Sequence, residues 1–185
     1  VSGSMSGEKL GQAKRAVTDT VARMRDGDQL ALITYDSTSR VVVPLGPVGA
    51  RRGAIAAAVS ANRHCRRVVV TAAVNNVSFD RPIKLGDVVI IESQVTRAFN
   101  SSMEVYLEVF VENATTGERS RCNEAYYTFV AVDQLGGPIA VPAIEPQTDA
   151  ERARFDGALR RRQLRLILAG KLKPEDATEL KALFD

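Results

Sequence analysis

Apolar positions at near-helical spacing open the chain: Leu10, Ala13, Val17, Val21 and Met24 recur over residues 7–25, ahead of Asp26-Gly27-Asp28. That pattern predicts an amphipathic helix ending in a turn. Residues 30–35 and 40–45 are short apolar runs separated by Asp36, Ser37, Thr38 and Ser39, the mark of a hairpin or of two successive strands. Beyond Pro47, the Ala-rich stretch 51–62, with Ile55 and Val59 one turn apart, predicts a helix whose small side chains allow close packing against it. From residue 67 β-branched residues dominate, in runs at 68–71, 88–99, 103–112 and 122–132. The 103–112 run alternates strictly, Met103, Val105, Leu107, Val109 and Val111 on one face and Glu104, Tyr106, Glu108, Phe110 and Glu112 on the other. Turn residues at Gly86-Asp87 and Thr116-Gly117 join these runs into a meander of long antiparallel strands. Gly136-Gly137-Pro138 ends the meander, Thr148 or Asp149 caps a helix over 150–169, and Lys173-Pro174-Glu175 opens a last short helix.

The chain has 185 residues, 45% hydrophobic and 25% charged, which fits one ordinary domain with short appendages. Cys65 and Cys122 are too few and too far apart for a metal-ligand cluster, so no metal site is expected. His64 neighbours Cys65, yet adjacent side chains on an extended segment point to opposite faces, which argues against a nucleophile pair. No apolar run approaches the roughly 20 residues of a membrane span, and no secretory signal opens the chain, so a cytoplasmic protein is expected. The net charge of +3 is concentrated in Arg51, Arg52, Arg63, Arg66 and Arg67, and again between Arg152 and Arg165. The second cluster has few interleaved aromatics and reads as a solvated helix face rather than a nucleic-acid surface. Glu104, Glu108 and Glu112 read as a solvated row or a subunit contact before they read as a general base, and Cys122 as a small buried hydrophobe.

Residues 63–162 resemble the C-terminal two-thirds of a hotdog-fold acyl-CoA thioesterase. The residues that carry this are Arg63-His64-Cys65-Arg66-Arg67, Val69-Val70-Thr71-Ala72-Ala73-Val74, Val77-Ser78-Phe79, Arg81-Pro82-Ile83, Gly86-Asp87-Val88-Val89, Ser101-Ser102-Met103-Glu104-Val105, and Ala125-Tyr126 with residues 128–133. Residues 1–61 resemble instead the opening half of a von Willebrand factor type A domain, through residues 1–7, Lys9, Ala13-Lys14, Gly27-Asp28 and residues 30–35 and 41–45. Ser2 and Ser4 match that family's metal-binding serines, without the aspartate that should precede them. The chain therefore looks like a recombinant or chimera.

The resemblance implies an α+β fold, a hotdog-like antiparallel sheet wrapped around a central helix, with additional N-terminal and C-terminal helices. Its implied organisation is a partial type A segment over 1–48, a hotdog-like unit over 49–170 and a helical tail over 171–185. The helix at 51–62 becomes the central helix, and residues 40–45 a substitute first strand. The implied activity is acyl-CoA hydrolysis to free fatty acid and coenzyme A by a homo-oligomer, a dimer or trimer of dimers. It requires no cofactor beyond the coenzyme A of its substrate. Arg97, Asn100, Ser101 and Ser102 match the family's coenzyme A loop, with Arg63, Arg66 and Arg67 as phosphate partners. The catalytic residue stays unassigned. The family's central-helix carboxylate falls near Ala54, and no Asp or Glu lies between Asp36 and Asp80. A module that binds coenzyme A without turnover, or a purely structural chimera, is the alternative.

Overall fold

The computed structural model describes residues 20–21, 23–26, 29–35, 39–47, 51–83, 88–113 and 116–184. The expected first helix falls largely outside these, as do Ser2, Ser4 and the Gly86-Asp87 turn. Of that helix, Thr20, Val21 and Arg23 are described and are helical.

Two strands, β1 (Gln29–Tyr35) and β2 (Ser39–Pro47), pair antiparallel as a sheet of their own. The main sheet has four strands, β3 (Val68–Phe79), β4 (Val88–Ala98), β5 (Ser102–Glu112) and β6 (Arg119–Val132), all antiparallel in the order β3-β6-β5-β4. The expectation that residues 40–45 would become a strand of the main sheet is corrected. They pair with β1, the hairpin the sequence offered as one reading, because only three residues separate the two strands and so short a loop costs less to close than reaching a distant sheet edge. β3 runs on to Phe79, past the expected end at Thr71. Ala72, Ala73, Asn75 and Asn76 are weak strand formers, but the β6 ladder continues through Ala73, Val74 and Asn75 to Ser78 and Phe79, with register shifts at Thr71/Ala73 and Asn75/Ser78.

Helix α1 (Arg52–Cys65) lies across the inner face of the main sheet as the central helix. Its small residues let it sit close. Ala57 and Ala61 are fully buried and belong to one core with Met103, Val105, Leu107, Phe129 and Ala131. The helix ends at Arg66, which takes the left-handed conformation at φ 54° while its N–H donates to the Asn62 carbonyl.

After β6 a turn through Gly136, at φ 84°, starts a strap over residues 138–147. Ile139 N–H donates to the Ala131 carbonyl and Val141 N–H to the Asn100 carbonyl. Thr148 then caps α2 (Asp149–Leu168) with a complete capping box, its hydroxyl accepting from Glu151 N–H while the Glu151 carboxylate accepts from Thr148 N–H. α2 crosses the outer face of β4 and β5. A 3-10 turn at Pro174–Asp176, with proline in its first turn as expected, leads to α3 (Thr178–Lys181), docked where Leu180 N–H donates to Gln163 Oε1 at 2.8 Å. Hotdog sheet, central helix and α+β class are as the sequence led one to expect.

Candidate functional site

The inner face is where α1 begins. No acidic residue stands in α1's first turn, nor anywhere in the helix. Gly53 lets that turn approach the sheet: a Cβ there would stand 3.5 Å from Leu107 Cδ1 and 3.6 Å from Tyr127 Oη. Tyr127 stacks near-parallel on Phe129, ring centroids 6.2 Å apart. Burial holds the Tyr127 phenol above its ordinary pKa, so it stays a protonated donor at neutral pH. Opposite it on β3 is Val74, and opposite Phe129 is Thr71, both exposed at the sheet edge. The region between α1's first turn and the β3 edge thus offers a hydroxyl donor and an apolar wall. Among these residues no group can serve as a carboxylate base.

The expected coenzyme A residues fall into two groups. Arg97, Asn100, Ser101 and Ser102 stand at the β4–β5 turn, closed by Phe99 N–H donating to the Ser102 carbonyl at 2.7 Å. The Asn100 and Ser101 carbonyls accept from Val141 and Ala131 N–H, each at 2.9 Å, leaving the serine hydroxyls free of those ties. Arg97 is drawn under α2, where Nη1 donates to the Phe155 carbonyl at 2.9 Å and the guanidinium stacks 4.0 Å from the Phe155 ring centre. Burial lowers its pKa, opposed by Asp156, Glu179 and Glu104.

Arg63 and Arg66 stand exposed at the other end of α1. The strap links the two groups: Val141 is bonded to Asn100, and the next carbonyl, Pro142, accepts from His64 Nε2 at 2.7 Å. Between α1, β4 and the strap lies an open cleft of about 400 Å³, lined in part by Ser60, Arg63, Ser93, Gln94 and Gln147. Ser60 and Ser93 hydroxyls bond each other at 2.7 Å on its floor.

The outer face corrects two expectations. Glu104 is buried rather than solvated, gripped by Arg161 through Nε–Oε2 at 3.0 Å and Nη2–Oε1 at 2.7 Å. Glu108 faces Arg121 and Arg154 at 3.7 and 3.9 Å, while Tyr106 donates to Glu124 at 2.8 Å. These carboxylates are charge partners, not free bases. The arginines of 152–165 are likewise not one solvated face: Arg154 lies over the Tyr106 ring, Arg161 over Tyr126 and Arg162 over Phe99. The aromatics that engage them come from the sheet, so spacing along α2 alone gave no sign of them. His64 and Cys122 hold structural positions, Cys122 Sγ reaching the Val109 carbonyl at 3.4 Å. Sequence reasoning missed Tyr127, although the β6 alternation Ala125, Tyr127, Phe129 carried the signal.

Comparison with known proteins follows this geometry. The pattern of the Thioesterase superfamily matches residues 55–118. An apo-hexameric acyl-CoA thioesterase superposes with a TM-score of 0.59 at 40% identity, covering 61% of this chain and 72% of its own. The chain belongs to the thioesterase superfamily. Another superfamily structure, an acyl-CoA hydrolase from Staphylococcus aureus in complex with butyryl coenzyme A and coenzyme A, matches at 35% identity and a TM-score of 0.58, over 62% of this chain and 72% of its own. Among curated proteins, the uncharacterized acyl-CoA thioester hydrolase YkhA of Bacillus subtilis is 44% identical over 105 residues, 57% of this chain and 61% of the relative. The chain thus spans about three-fifths of the length of the first curated relatives it matches. The pattern of the von Willebrand factor type A domain also matches, over residues 1–78. Among the described residues no helix is long and apolar enough to cross a membrane.

Proposed function

We propose that this chain hydrolyses acyl-CoA thioesters to free fatty acid and coenzyme A. The observation that carries the reading is the central-helix hotdog architecture shared at 40% identity with a hexameric acyl-CoA thioesterase. The reaction needs only water and the acyl-CoA, so the reading calls for no cofactor beyond the coenzyme A moiety. Coenzyme A is held by Asn100, Ser101 and Ser102 with Arg63 and Arg66 as phosphate cations; Arg97 joins them by leaving the Phe155 carbonyl. The working unit is a homo-oligomer. β3 supports this as an edge of the main sheet with which no further strand pairs among the described residues, Val70, Val74 and Val77 being nearly half exposed, the kind of edge a second copy covers. The hotdog unit spans 49–170, with 1–48 and 171–185 as appendages, and the chain joins two families near Ala61, in the last turns of α1. A cytoplasmic location accords with the cytosolic acyl coenzyme A thioester hydrolase of Homo sapiens, 32% identical over 122 residues.

A second reading, coenzyme A binding without turnover, is favoured by one observation: α1 holds no carboxylate. Release of free thiol from short and long acyl-CoA by the purified chain separates the two. Turnover supports the first, and a coenzyme A-dependent rise in melting temperature without turnover supports the second.

A further inference from the structure

We infer that the Tyr127 hydroxyl is the donor that binds the thioester carbonyl, a role that rests on the hydrolytic reading above. Tyr127 is the polar group best placed for it. Its ring is packed into the core beside Phe129 and Val105, which fixes its direction. Its hydroxyl stands at α1's first turn, beside the space Gly53 leaves open. It has no hydrogen-bond partner among the described residues, and it is not among the fully enclosed polar atoms left unsatisfied, so the hydroxyl keeps some access to the surface. An oriented, reachable, unpartnered donor in an apolar frame loses little by exchanging water for a carbonyl oxygen. The frame fits the rest of a thioester: Val74, exposed on the same face, gives an acyl chain an apolar wall. Burial, which raises the phenol pKa, keeps the proton on the donor.

In the step, water oxygen bonds to the carbonyl carbon and the C–O π electrons move to the oxygen, which Tyr127 stabilises. Collapse breaks the C–S bond, and the proton lost by the attacking water ends on the departing thiolate. Tyr127 keeps its own proton throughout.

The test compares wild-type chain, Tyr127→Phe and a chain with 3-fluorotyrosine at 127, following thiol release from acyl-CoA and melting temperature. The expected result is a fall in kcat of about 10²-fold in Tyr127→Phe with KM and melting temperature nearly unchanged, the size seen when one such donor is lost. The more acidic fluorotyrosine raises kcat, which decides the matter even if Tyr127→Phe melts early. Wild-type turnover with kcat unaltered in both variants overturns the Tyr127 role and leaves the hydrolytic reading standing. A wild-type chain that releases no thiol overturns both.

Discussion

Arg161 and Glu104 form a two-pronged ion pair between α2 and β5, at 3.0 and 2.7 Å, with the Thr96 hydroxyl donating to the same carboxylate at 2.7 Å. The carboxylate is almost wholly enclosed, its side chain 6% exposed, so each partner depends on the other for its solvation. Arg161→Met therefore destabilises the chain by about 3 kcal/mol in urea unfolding, because it strands a buried charge. The double variant Arg161→Met/Glu104→Met recovers most of that loss.

Gly157 makes the same contact sensitive from the helix side. A Cβ there would stand 2.7 Å from Arg161 Nη1. Gly157→Ala, worth about 1 kcal/mol in favour of an isolated helix, instead lowers stability, because Arg161 is pinned by Glu104 and cannot swing clear. A rise in the urea midpoint would show that the guanidinium is free to move.

Ala61 has no exposed surface beneath the sheet. Ala61→Leu forces α1 away from β5 and costs about 1–3 kcal/mol by denaturant unfolding. The same change at exposed Ala72 stays within about 0.5 kcal/mol.

Tyr106, Tyr126 and Tyr127 are all raised above the ordinary tyrosine pKa of 10.0, each chiefly by burial. A raised folded pKa means the folded chain keeps protons the unfolded chain has lost. The stability it contributes is present below pH 10 and drains as pH rises from there towards the folded values. Tyrosinate absorbance at 295 nm accordingly appears late, together with unfolding, and Tyr106→Phe flattens the alkaline loss. Glu151 acts at the other end of the scale. Backbone N–H bonds from Gln147 and Thr148 depress its pKa, so its cap is intact above the ordinary carboxylate value and lost as pH falls below it. Glu151→Gln removes that acid dependence.

The sheet and the central helix were legible because their signals are local. Strict alternation over residues 103–112 fixed which side of β5 meets α1, and the alanines of 51–62 marked a helix that packs closely. The hairpin of β1 and β2 was legible as one of two readings, but that it stands apart from the main sheet was not, since sheet membership depends on which edge lies nearest and not on the strand's own residues. Nor was the burial of Glu104: the Arg161 that neutralises it lies 57 residues away and meets it only when α2 crosses the sheet. At the β4–β5 turn, the hold of the Phe155 carbonyl on Arg97 was not legible, because Phe155 lies 58 residues away and meets it only when α2 crosses the sheet. Ala54 announced a missing carboxylate, and the nearness of Tyr127 to Gly53 could be read only from the packing of α1 on β6.

The central claim is acyl-CoA hydrolysis by a hotdog chain without a central-helix carboxylate. Its most direct test is the rate of free thiol release from butyryl and palmitoyl coenzyme A across a range of protein concentrations. The account predicts turnover whose specific rate rises with concentration as the β3 edges pair. Absence of thiol release at every concentration would contradict it, whether or not coenzyme A moves the melting temperature.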